Sequence, residues 1–204
     1  SFIFAINRKS NIYWFLIPVL LGFSFLSKQA PTVYVIILIS ILSIIYFIKS
    51  KNMLNFISAL TGVTIFLILF FCFLFFGEIQ FNDFLIQYFS YPMSLGESRF
   101  EWLFPFEFKR IVWRYKLQYL SIAVLIYLFI KFSLEKNNKI FSDYLIIISI
   151  IFFCLLTVMH QLMTINAIFI YCLIPIFCGF SHIYSQKYLK SEKIIGRFLI
   201  ALTL

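Results

Sequence analysis

Charge is what this 204-residue chain has least of. Asp, Glu, Lys and Arg together make up 12% of it, against roughly 25% in an ordinary soluble domain, while 63% is hydrophobic. That balance excludes a soluble globular protein. Strict apolar and polar alternation is missing too, which excludes a β-barrel, whose strands alternate between lipid and lumen. The chain has no CxxC pair, and Cys72, Cys154, Cys172 and Cys178 all stand inside apolar runs, where a thiol packs as a small hydrophobe. GxSxG, P-loop, GxGxxG and HExxH motifs are absent as well. Acidic residues number only 8 against 17 Lys and Arg, for a net charge of +9. In a chain this apolar, the excess belongs to loops flanking membrane helices, and a nucleic-acid partner is discarded.

What the sequence does have is long apolar blocks rich in Phe, of which there are 29. Six read as complete transmembrane spans: 12–26, 32–48, 53–76, 117–132, 144–159 and 165–183. Partial helices flank them. Ser1 to Ile6 reads as the tail of a helix begun upstream, and the run from Phe198 to Leu204 is too short to cross, so an internal fragment of a larger protein is expected. The fold class is therefore all-α, a polytopic transmembrane bundle forming one domain over 1–204.

Eleven of the 17 Lys and Arg residues fall on one set of connections, among them Arg8, Lys49, Lys131 and Lys187. The other set carries Lys28, Arg99, Lys109, Arg110, Arg114 and Lys116, with five acids. The positive-inside rule then puts Lys28, the long loop 77–116 and His160 on the outer side. Within that loop Phe81, Phe84, Leu85, Tyr88 and Phe89 recur at helical spacing, with Asn82, Asp83, Gln87 and Ser90 opposite. This pattern predicts an interfacial amphipathic helix, ended by Pro92 and Gly96. From Phe100 to Lys116, aromatic and charged residues interleave as at headgroup level. The spans 12–26, 117–132 and 144–159 are short, at 15 to 16 residues, which predicts a wet recess at the Lys28 and His160 ends.

Seven residues are candidates for binding a substrate there. Lys28, with Gln29 beside it, lies between two apolar spans, where an ammonium suits the phosphate of a lipid-linked substrate; the bland alternative is a lysine that snorkels to the surface. Arg99 offers a donor fork to a phosphate or sugar hydroxyl, and Glu97 could orient it or act as acid or base; a surface ion pair is the alternative. His160, Gln161 and Asn166 fall in a short polar turn, expected either to read phosphate and sugar hydroxyls or to cap and join helices. No metal site is assigned: the sequence supplies no second ligand near His160, although a divalent metal stays open as a cofactor. His182 is expected at a helix end in a charge–dipole or solvated role.

The stretch Leu20-Leu-Gly-Phe-Ser-Phe-Leu-Ser-Lys28-Gln-Ala-Pro31 resembles the GLxxGLxFLxKxxP element of polytopic GT-C glycosyltransferases, the superfamily of protein mannosyltransferases and aminoarabinose transferases. The segment His160 to Asn166, with Phe169 and Pro175 after it, is similar to a polar helix-entry element of bacterial members. Ala167 departs from that pattern, in which a further polar residue follows. The resemblance implies an enzyme that moves a sugar from a polyprenyl-phosphate donor to an acceptor on the outer face of a bacterial inner membrane. Lys28 would face the donor phosphate, and a carboxylate base would lie in a first outer loop upstream of Ser1. Partners would be the lipid-linked donor and membrane lipids, with the acceptor unassigned. Two other functions compete: a polymerase or ligase of lipid-linked glycans, and a transporter or flippase for an anionic lipid or metabolite. A structural membrane subunit is a further alternative.

Overall fold

A computed structural model describes residues 2–8, 10–94, 107–134, 141–164, 168–189 and 192–202. Among the described residues the regular elements are all helices. The chain packs as two compact units, Ser1–Glu101 and Trp102–Leu204. The first holds α1 (Phe2–Arg8), α2 (Asn11–Ser27), α3 (Gln29–Ser50), α4 (Met53–Phe76) and α5 (Phe81–Leu85). The second holds α6 (Lys116–Leu134), α7 (Phe141–Thr164), α8 (Ile174–Leu189) and α9 (Glu192–Ala201).

Four helices, α3, α4, α6 and α7, are long and apolar enough to cross a membrane. The expected spans 32–48 and 53–76 lie in α3 and α4, the latter with the same bounds. The first expected span is α2, whose 17 residues extend about 26 Å at 1.5 Å per residue, short of a hydrocarbon core of about 30 Å. The runs 117–132 and 144–159 were expected to be short, but α6 has 19 residues and α7 has 24. Their polar flanks do not break a helix, so the winding continues through Ser142 and Asp143 at one end of α7 and through His160, Gln161 and Thr164 at the other. The run expected as one span over 165–183 is instead a tight 3-10 segment, Ile168–Leu173, followed by α8. Pro175 sits in the first turn of α8, where its missing N–H leaves no helical bond unmade, which fits a new helix starting there.

In the first unit, α2 and α4 lie in parallel and nearly in backbone contact. A β-carbon built on Gly62 would stand 2.2 Å from the Phe15 carbonyl oxygen and 2.8 Å from the Pro18 ring, and one on Gly22 would stand 2.4 Å from the Phe66 ring. Small residues facing bulky ones let two helix backbones approach closely, the usual basis of helix packing in lipid. Trp14 stacks on Tyr46 of α3 at 4.9 Å and meets Phe2 of α1 edge-on at 6.1 Å. Only 11% of the apolar window of α4 is buried, so most of its Phe and Leu side chains face outward, as a lipid-exposed helix requires.

The amphipathic segment after α4 folds back on this unit. Phe84 is buried against Phe70 and Leu74, with Leu26, Phe66 and Tyr88 around them. Phe81, Leu85 and Phe89, expected on the same apolar face, are exposed. Pro92 does not end the helix: after a π-helical turn over Ile86–Ser90, residues 91–94 remain helical. The Tyr91 N–H reaches the Ile86 carbonyl, a wider turn in which one proline lacking a donor is accommodated. Gly96 lies outside the described residues.

In the second unit, α6 turns Gln118, Ser121, Ile122, Leu125, Leu128 and Phe132 inward, one face at helical spacing. The Ser181 hydroxyl of α8 donates to the Ser121 carbonyl of α6, and the Phe132 and Tyr188 rings meet edge-on at 4.7 Å. α9 returns along α8, its Leu199 packed on Ile174 and Cys178 and its Gly196 beside His182. His182 is thus inside α8, not at a helix end; its Nε2 lies 3.0 Å from the Gln186 amide nitrogen.

Candidate functional site

Lys28 occupies the break between α2 and α3. Its backbone is extended, with φ −154° and ψ 110°, and its N–H donates to the Ser24 carbonyl at 2.9 Å to close α2. Ala30 is also non-helical, so the chain leaves the helical path on both sides of Gln29. Three bonds hold the break in shape. Ser24 and Thr32 hydroxyls pair at 3.1 Å, the Thr32 hydroxyl also reaches the Ser24 carbonyl at 3.4 Å, and the Tyr88 hydroxyl donates to the Leu26 carbonyl at 3.2 Å. Thr32 is buried, Gln29 half-buried and Lys28 exposed. Among the described residues Lys28 has no acidic partner. A cation on a half-apolar mount, with no acidic partner among the described residues, is suited to an anion.

His160 and Gln161 were expected in a turn and are in the last turns of α7. His160 is buried, and its carbonyl accepts from the Thr164 hydroxyl at 2.9 Å. The side-chain oxygen of Gln161 is buried with no partner among the described residues. This end of α7 is clasped from the segment before α6: Arg110 donates to the Leu162 carbonyl at 3.5 Å, satisfying one of the carbonyls a helix leaves open at its C-terminus. Tyr115 packs on Val158, Leu162 and Ile170. Its hydroxyl is buried with no partner among the described residues, as are both amide atoms of Gln118. Burial pushes the Tyr115 phenol up, against the pull of the Arg114 and Arg110 charges.

Lys28 and Gln29 belong to the first unit and His160 and Gln161 to the second. Glu97, Arg99 and Asn166 lie outside the described residues. Cys154 and Cys178 are buried as small hydrophobes, whereas Cys72 and Cys172 are exposed on their helices. Among the described residues no three His, Cys, Asp or Glu side chains gather as metal ligands.

The sequence reading missed a polar cluster at the other end of the second unit. Asp143, in the first turn of α7, accepts from the hydroxyls of Tyr184 (3.4 Å) and Tyr188 and pairs with Lys187 at 2.5 Å, all three from α8. Burial pushes both phenols up, and the adjacent carboxylate adds to the effect. The signal was present in part, because Tyr184 and Tyr188 are four apart and share a helix face. Their partner is 41 residues or more away in sequence, which no local pattern reveals.

Set against family models, curated proteins and solved structures, the chain matches none of them.

Proposed function

We propose that this chain serves a membrane glycosyltransferase activity, binding a polyprenyl-phosphate donor whose sugar moves to an acceptor at the outer face of a bacterial inner membrane. The observation that carries the reading is Lys28: an exposed ammonium, without an acidic partner among the described residues, at the stitched break between two apolar helices. It rests also on the likeness of the Leu20–Pro31 stretch to the GT-C element. A lipid phosphate leaves readily when a cation meets the charge that develops on it, commonly the largest electrostatic contribution to such a reaction. Lys28 supplies that cation, and the surrounding Phe-rich surface takes the prenyl chain and limits hydrolysis by water.

A transporter of anionic lipids is the second reading, favoured by the same broken helix, since transporters bind anions at discontinuous helices. One pair of assays separates them. In the full-length protein Lys28→Ala is expected to abolish sugar transfer from a polyprenyl-phosphate donor, with expression intact and Lys28→Arg retaining part of it. Undiminished transfer by the alanine form overturns the role of Lys28. Donor movement across proteoliposomes without any sugar transfer supports the transporter.

A further inference from the structure

Ahead of α6, the chain forms a short π-helical segment, Lys109–Trp113, that joins α6 through Arg114 and Tyr115. The stretch 109–116 carries four cations within eight residues, Lys109, Arg110, Arg114 and Lys116, and Glu107 is the acid nearest in sequence among the described residues. Arg110 is turned to the end of α7. Lys109, Arg114 and Lys116 are exposed and have no carboxylate partner among the described residues.

The Arg114 N–H returns to the Lys109 carbonyl at 3.2 Å, closing one π turn, so Lys109 and Arg114 stand one turn apart on the segment. The Lys116 ammonium lies 4.0 Å from the centre of the Trp113 ring, which is itself 59% exposed. Phe108, 72% exposed, and Val112, also exposed, belong to the same short segment, so exposed apolar side chains stand among the cations. The mount is rigid: besides Arg110 on Leu162, the Tyr119 hydroxyl donates to the Ile111 carbonyl at 3.1 Å and the Tyr171 hydroxyl to the Arg114 carbonyl at 3.0 Å.

We infer that Lys109, Arg114 and Lys116 form a binding site for the anionic headgroups of membrane phospholipids, with Phe108, Val112 and Trp113 inserted among the acyl chains below. Position supports this, because α6, an apolar helix long enough to cross a membrane, begins at Lys116, placing the cations where lipid phosphates lie. Chemistry supports it too: an exposed indole beside unpaired ammonium and guanidinium groups suits an interface that is apolar on one side and anionic on the other. A free anion in water would gain nothing from the exposed Phe108 and Val112. The site is separate from the donor-binding role given to Lys28 and stands whether or not that role holds.

Quenching by brominated lipid tests it in nanodiscs of the full chain. Brominated phosphatidylglycerol is expected to quench tryptophan fluorescence more than brominated phosphatidylcholine does. Trp113→Phe should remove the excess, and so should the combined Lys109→Gln, Arg114→Gln and Lys116→Gln variant, whose unchanged quenching by brominated phosphatidylcholine reports intact insertion. Where that variant inserts differently, Lys109→Gln alone decides by the same comparison, and Lys109→Arg should keep the excess. Equal quenching by the two lipids in the unsubstituted protein, or an excess that survives the glutamine substitutions, overturns the inference. So does loss of the excess on adding inorganic phosphate at constant ionic strength, which would assign the site to a free anion.

Discussion

Gly62 of α4 faces the Phe15 carbonyl of α2 so closely that a β-carbon there would stand 2.2 Å from the oxygen. The obstacle is backbone, held by the hydrogen bonding of α2, and cannot swing aside. Gly62→Ala is therefore expected to force the helices apart and cost about 1–3 kcal/mol, the usual range for overpacking. Gly22→Ala meets the Phe66 ring at 2.4 Å, but a ring on a flexible stem can rotate away, so its cost should be smaller. Thermal unfolding of both variants in detergent checks the order; an alanine at 62 tolerated better than one at 22 would contradict the close approach.

Tyr88 tests how the Lys28 break is held. Tyr88→Phe keeps the ring stacked on Phe84 at 4.5 Å and removes only the bond to the Leu26 carbonyl. A loss of about 1 kcal/mol in unfolding free energy is expected, the typical net value of one hydrogen bond. If Tyr88 also positions Lys28, the apparent donor affinity should weaken with it, whereas an unchanged affinity would confine Tyr88 to stability.

How far the sequence could be read depended on the distance between the residues concerned. Helix periodicity and apolar length are local, and they placed α3 and α4 within a few residues. The winding at Pro92 and before Pro175 depended on how a neighbouring turn absorbs a missing donor, so the expected stop became a π turn and the expected span became a 3-10 segment followed by α8. His160 was assigned to a turn because its polar neighbours looked like a helix end; packing of Val158 and Leu162 on Tyr115 keeps that stretch wound. Lys28 was legible as a charge between two spans. Asp143 was not, because its meaning lies in side chains brought to it by α8.

Gln118 makes a prediction of the opposite sign. Its amide is fully buried with neither atom partnered among the described residues, and such a group costs about 1–3 kcal/mol relative to water. Gln118→Leu, similar in size and apolar, is expected to raise the unfolding midpoint in detergent. A lowered midpoint would mean that the amide holds ordered water inside the second unit.

The Asp143 cluster predicts a response to alkali. Tyr184 and Tyr188 are raised above their ordinary value of 10.0, chiefly by burial and further by Asp143. The folded state therefore holds both protons more tightly than the unfolded chain does. The resulting stabilisation is complete below pH 10 and is lost as the pH climbs toward the folded values, because the unfolded chain ionises first. The Tyr184→Phe, Tyr188→Phe double variant should show a shallower decline above pH 10. The ion pair is the smaller part of the cluster: Lys187 is 53% exposed, so Lys187→Met should cost under about 1 kcal/mol. Asp143→Ala removes the acceptor of both phenols and should cost more, about 1.5–3 kcal/mol. Denaturant titrations of the two variants at neutral pH decide the order, and a lysine substitution costing more than the aspartate one would show that solvent-exposed charge, not the buried phenols, joins α7 to α8.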